Sequence, residues 1–173
     1  MNTRLATIAL LGGTVALAGC AKKAPEQLPP APEQTTTDQG TTVAPVGDTG
    51  PTLGTQAHFE DAVKGQNVIY FDTDRFNIDS ADAAALQTQA QYLSRYGAIS
   101  ITIEGHADER GTREYNLALG ERRANSAKNY LISLGVDANR IRTVSYGKER
   151  PVALASNAAA WSQNRRAVSV VIN

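Results

Sequence analysis

As a pattern of apolar and polar positions the chain changes character twice, leaving three regions. Leu5 to Ala18 is an uncharged run rich in Leu, Ala, Ile and Val, behind a single cation at Arg4. From 21 to 57 no periodicity survives, and the stretch holds no aromatic residue and few large aliphatics. From 58 onward regular patterns return. Asn67 to Phe71 is a short β-branched and aromatic run that predicts a strand. Ala83, Leu86, Ala90 and Leu93 stand at helical spacing within Ser80 to Tyr96, with Asp79 or Ser80 to cap the start and Gly97 to close the end. Ile99 to Glu104 alternates strictly, the mark of a strand with one face buried and one wet. A longer helix is expected from about Glu114 to Leu134, ended by Gly135. Ile141 to Tyr146 reads as a short strand, Ser156 to Gln163 as a brief helix, and Ala167 to Ile172 as a last strand with Val168, Val170 and Ile172 on one side. The order β-α-β-α-β-α-β with half-polar strands predicts an α+β fold: a two-layer sandwich, a four-stranded mixed sheet with helices on one face.

Composition sharpens this picture. Six of the seven prolines fall between 25 and 51, inside the unpatterned region. That region cannot bury enough apolar surface to offset the entropy of ordering, so 20–57 is expected to be a tether and 58–173 a single domain. As a flexible coil the tether would span roughly 35 Å on average. Fully stretched it would reach on the order of 120 Å. Seventeen basic and seventeen acidic side chains cancel, which argues against nucleic acid as a partner. One cysteine excludes an internal disulfide, and two histidines leave little for a metal centre. No metal or other cofactor is expected.

The first nineteen residues have the charged start and short apolar stretch of a secretory signal, too short to span a bilayer, which needs about 20 apolar residues. The run ends Leu17-Ala18-Gly19-Cys20, which resembles a bacterial lipobox. That resemblance implies cleavage before Cys20, acylation of Cys20, and attachment to a membrane through its acyl chains. Ala21, where an Asp would imply retention in the inner membrane, favours the outer membrane, with the domain in the periplasm.

Candidate chemistry gathers in Gly105-His-Ala-Asp-Glu-Arg-Gly-Thr112, between a strand and a helix start, where ligands tend to bind. On the helix that follows, stepping 100° per residue places Leu117, Gly120, Ala124, Ala127, Leu131 and Leu134 on one stripe. Arg122 falls nearly opposite, in water. Arg123 falls on the flank, about 60° from the centre, with Asn116 two turns earlier on almost the same azimuth. Arg123 is thus expected to reach along the surface toward the loop. There it would grip a ligand carboxylate bidentately, or pair internally with Asp108.

Tyr70-Phe-Asp-Thr-Asp74, GHADERGTREYNLALGERRANSAKNYL from Gly105, VSYGKERP from Val144 and NRRAV from Asn164 resemble the peptidoglycan-associated lipoproteins, within the OmpA-like C-terminal domain family. The likeness covers 67–173. It implies non-covalent binding of the meso-diaminopimelate stem peptide of peptidoglycan. It also implies partnership with TolB and the other Tol proteins, and a part in envelope integrity and cell division. By the same resemblance Asp108 takes the ammonium of diaminopimelate and Arg123 its carboxylate, while Arg110 and Asp74 match positions that contact the stem. Asn116 is expected to hold the loop or a ligand carboxylate, and His106 to be a structural loop residue. Thr73, where relatives often carry an aromatic, and Arg113, where many carry Pro, depart from the pattern.

An enzyme is not expected. Neither Ser nor Cys stands beside His106 and Asp108 as a nucleophile, and no metal-ligand or glycine-rich phosphate motif is present. Asp108 and Glu109 could cleave a glycan only by facing each other, which adjacent loop residues rarely do. The competing reading is an envelope adaptor whose charged cleft binds a protein and not the wall.

Overall fold

The structure, a computed structural model, describes residues 50–172. The expected signal segment, Cys20 and most of the tether lie outside them. The folded part begins before position 58. Helix α1 runs Gln56–Ala62, with the Thr55 hydroxyl accepting from the His58 N–H at 3.2 Å. Two turn-spaced anchors, Phe59 and Val63, are fully buried. So short a helix carries too little periodicity to announce itself in sequence. Then follow β1 (Val68–Tyr70), α2 (Ser80–Arg95), β2 (Ser100–His106), α3 (Arg113–Ser133), β3 (Ile141–Gly147), α4 (Ala158–Asn164) and β4 (Arg166–Ile172), with a 3-10 turn at Ala138–Arg140.

The strands form one mixed sheet in the order β1-β4-β2-β3. Strands β2 and β3 are parallel, and β4 runs antiparallel to both its neighbours. The expected α+β sandwich is what the chain builds. Alternation sets the layers: Ile101 and Ile103 are fully buried, while Thr102 and Glu104, which alternate with them, are partly exposed on the sheet's other face. Under the helices the core joins Leu86 and Leu93 of α2, Ala124, Ala127 and Leu131 of α3, and Ile69, Ile101, Ile103 and Ile141 of the sheet. Strand β1 has only three residues, so part of the β4 edge would be bare. Gln56 closes it: its amide oxygen accepts from the Val171 N–H at 2.8 Å and its NH₂ donates to the Ser169 carbonyl at 3.3 Å.

Helix α3 lies on β2 where two glycines meet. A Cβ at Gly105 would overlap the Gly120 carbonyl oxygen, and one at Gly120 would overlap the Ser145 hydroxyl. At the far end Gly135, at φ +94, ends α3 as expected. The Val136 N–H returns to the Leu131 carbonyl at 3.1 Å and the Gly135 N–H to that of Ile132 at 2.9 Å. The two poles of the sheet therefore differ. One carries the end of β2 at His106, the start of β4 at Arg166 and the loops that follow β2 and β3. At the other, Leu53 and Gly54 of the incoming chain line a groove with Tyr96, Ile99 and Ile172.

Candidate functional site

Two residues past the end of β2, Asp108 turns back on its own loop. Its Oδ1 accepts the Arg110 backbone N–H at 3.1 Å, a turn closed by a side chain. Three further contacts freeze that loop. The Asn116 amide donates to the Arg110 carbonyl at 2.7 Å. The Lys148 ammonium donates to the carbonyls of Glu109 and Gly111 at 3.1 and 2.7 Å. Gly111 sits at φ +86, which a side chain would strain. Thr112 then caps α3 through the Tyr115 N–H at 3.2 Å.

The loop walls a cleft of about 260 Å³, and Asp74, Asp108, Arg110, Asn116 and Arg123 all line it. All five residues singled out in the sequence thus meet in one place. Arg165 and Tyr115 join them without having been singled out. Arg165 lies within the NRRAV string, and Tyr115 within the long loop-helix string; both were legible as motif members but not as site members. The Tyr115 hydroxyl donates to Asp74 Oδ1 at 3.0 Å, and Asp74 itself stands at φ +56. That backbone is uncommon for a residue with a side chain, and Asp tolerates it better than most.

One expectation is overturned. Arg123 does not reach along the surface: it has no exposed area. Its Nε donates to the Arg75 carbonyl at 2.9 Å, Nη1 to that of His106 at 2.8 Å and Nη2 to that of Asp72 at 3.0 Å. It pins β2 and the loop after β1 to α3 and forms the floor of the cleft. Burial, then the charge of Arg165, pulls its pKa down to about 10, opposed by Asp108 and Asp74, so it stays charged at neutral pH. The helical arithmetic failed because the buried face of α3 includes polar members, Asn116 and Arg123 itself, together with Leu119, while Leu117 is only partly buried. The burying stripe is rotated toward Arg123.

The internal partner of Asp108 is Arg110, not Arg123. Arg110 Nε donates to Oδ1 at 3.0 Å and Nη2 to Oδ2 at 2.7 Å, and Arg165 Nη1 approaches Oδ2 at 3.5 Å. Burial alone would push the Asp108 carboxyl up. The hydrogen bonds and charge of Arg110, with help from Arg165, outweigh it and hold the group below the usual carboxylate range. The Arg110 guanidinium also lies 4.3 Å from the centre of the Trp161 ring, whose indole N–H donates to Glu109 Oε1 at 2.8 Å. The short helix α4 is therefore part of the site. His106, expected in the loop, ends strand β2 and is buried beside Tyr146. Three arginines against two aspartates leave the cleft one formal positive charge. A group carrying both signs, with a slight anionic excess, suits it.

The OmpA family model matches residues 70–165, more than half of the chain. The chain belongs to the OmpA family. Its relatives within that family include the peptidoglycan-associated lipoprotein of Rhizobium meliloti, 49% identical over 91% of this chain and 82% of the relative. That of Brucella melitensis is 48% identical over 91% of this chain and 86% of the relative. The crystal structure of the peptidoglycan-associated lipoprotein from Burkholderia pseudomallei is 43% identical and superposes with a TM-score of 0.63, covering 65% of this chain and 96% of that one. The C-terminal domain of Helicobacter pylori MotB, at 19% identity and a TM-score of 0.57 over 61% of this chain and 84% of that one, shares the OmpA-family fold alone. No helix among the described residues is long and apolar enough to cross a membrane.

Proposed function

We propose that this OmpA-family chain is an outer-membrane lipoprotein that ties the membrane to the cell wall. Acyl chains on Cys20 hold the membrane, the cleft binds the diaminopimelate stem peptide of peptidoglycan without a covalent bond, and the tether sets the slack. The observation that carries the reading is the cleft itself: one near-buried carboxylate among three guanidiniums, at the mouth of a loop held rigid from three sides. The free end of diaminopimelate carries an ammonium and a carboxylate on one carbon. Asp108 is the acid for the first. Arg110, with Arg165 beside it, supplies the cation for the second, over a floor kept positive by Arg123. Asp74 and Asn116 border the remaining stem, Asn116 through its hold on the loop. Partnership with TolB and the Tol machinery belongs to the same reading, as an implication of the motif resemblance; the names of the relatives support the wall-associated lipoprotein part of it.

Partly exposed charge-assisted contacts contribute about 1.5–3 kcal/mol each. A micromolar site needs about 8 kcal/mol, so several must act together and moderate affinity follows. A wall with many stems and a domain confined near it make up the rest through effective concentration. Co-sedimentation with purified sacculi tests the reading. The full-length chain in detergent should pellet with the wall, and Asp108→Asn should leave at least about nine-tenths of it in the supernatant. A chain that never pellets is an adaptor for a protein partner, and one that frees soluble wall fragments is an enzyme; either result ends the proposal.

A further inference from the structure

Asp108 is fully subscribed. Its two oxygens accept the Arg110 backbone N–H, Arg110 Nε and Nη2, and at longer range Arg165 Nη1. Four donors leave no place on that carboxylate for an incoming ammonium. The backbone donor belongs to the loop, and Arg165 is held at its Nε by the Phe71 carbonyl at 2.8 Å, with its side chain only 13% exposed. The Arg110 side chain is 42% exposed. Beyond Asp108 it has a 3.3 Å contact to the Thr73 hydroxyl and the face of Trp161. Of the three arginines at the cleft, Arg110 is the one free to move.

We infer that Arg110 sets specificity by exchanging partners: in the empty cleft its guanidinium fills the ligand ammonium's place on Asp108, and on binding it yields that place and takes the ligand's carboxylate. The inference rests on the function proposed above and adds to it a reason for selectivity. A ligand with both charges on one carbon breaks one bidentate pair and restores two charge-assisted contacts. A plain amine breaks the same pair and leaves a guanidinium without an anion. A plain carboxylate finds Arg110 already engaged. Arg123 is no substitute as it stands, since it has no exposed area and three of its five N–H groups are held by backbone carbonyls. Trp161 offers the released guanidinium a ring face on which to swing while keeping a favourable contact.

The test is calorimetry on the full-length chain in detergent. The probes are two stem tripeptides, one ending in meso-diaminopimelate and one in L-lysine, which lacks the terminal carboxylate. The unaltered chain should prefer the first by roughly tenfold or more, the weight of a charge-assisted contact. In Arg110→Gln the lysine peptide should bind roughly tenfold tighter than it does to the unaltered chain, and the preference should collapse. Unchanged far-ultraviolet circular dichroism would show the variant folded; Arg110→Lys, which keeps the charge but not the fork, should also lose most of the preference if folding fails in the first. Trp161 is the only tryptophan, so its emission should shift as the diaminopimelate peptide saturates the unaltered chain. The exchange is wrong if Arg110→Gln keeps the original preference, if the lysine peptide binds it no tighter, or if calorimetry shows binding with no change in Trp161 emission. Failure of both peptides on the unaltered chain removes the wall-binding function and the exchange with it.

Discussion

A guanidinium with no exposed area and three carbonyl acceptors is a structural cation before it is a ligand contact. Arg123→Ala would strand those three carbonyls and open a cavity, at about 1–3 kcal/mol for each orphaned group. Its cost in urea unfolding should be at least about 3 kcal/mol, and its loss of wall binding would report lost structure. Arg123→Lys should rescue little, because one ammonium cannot reach acceptors arranged for a planar fork. His106 is the second residue whose burial has a measurable sign. Burial first, then the charges of Arg166 and Arg150, lowers its pKa to about 4, although Glu104 lies 3.7 Å away and would raise it. Neither ring nitrogen has a hydrogen-bond partner. The unfolded chain protonates this imidazole near pH 6.5 and the folded chain resists until about 4. Stability is thus intact above 6.5 and falls as pH drops to 4, by at most about 3 kcal/mol from this group. Urea midpoints measured across that window should slope for the unaltered chain and flatten in His106→Phe, which keeps the stacking on Tyr146.

At the scale of elements, the two-glycine contact decides how close α3 can approach the sheet. A glycine inside a helix ordinarily gains about 1 kcal/mol on replacement by Ala. Here the sign reverses. Gly120→Ala would press on the Ser145 hydroxyl, which can rotate, and on the Gly105 carbonyl oxygen at 2.8 Å, which cannot. Gly105→Ala meets backbone directly. Both should lower the melting temperature, Gly105→Ala far more, to the point of abolishing soluble expression, with Gly120→Ala costing on the order of 2–3 kcal/mol. Element types were legible wherever one face was apolar and the other wet: β2, α2 and the closing Gly135 of α3 all followed from period and punctuation. What escaped was decided by long-range partners. Helix α1 exists because Phe59 and Val63 find a pocket and Gln56 finds the bare edge of β4, and none of these is a local signal. The loop's residues were legible as a group, because ionisable side chains crowded between glycines after a strand have few structural uses. Their pairing was not, since a side chain's partner depends on how the stripe of α3 turns, and buried polar residues move it.

For the whole molecule, the parallel pairing of β2 with β3 follows from the crossover through α3, but the insertion of β4 between β1 and β2 was beyond reach of local pattern. Attachment is the property that belongs to this scale. Cys20→Ala should leave the chain unacylated, and fractionation should move it from the membrane pellet to the soluble periplasmic fraction. Persistence in the membrane would show that something other than Cys20 holds it.

The chain enters the domain at one pole of the sheet and the cleft opens at the other. A pull between anchor and wall would therefore run along the strands. Rungs of the β2–β4 ladder, paired from Ser100–Ile172 to Gly105–Ala167, would be loaded together in shear and could not be unzipped one at a time. Tension from the anchor side would reach α1 first, at the Gln56 contacts with β4, and then the three-pair ladder of β1 with β4.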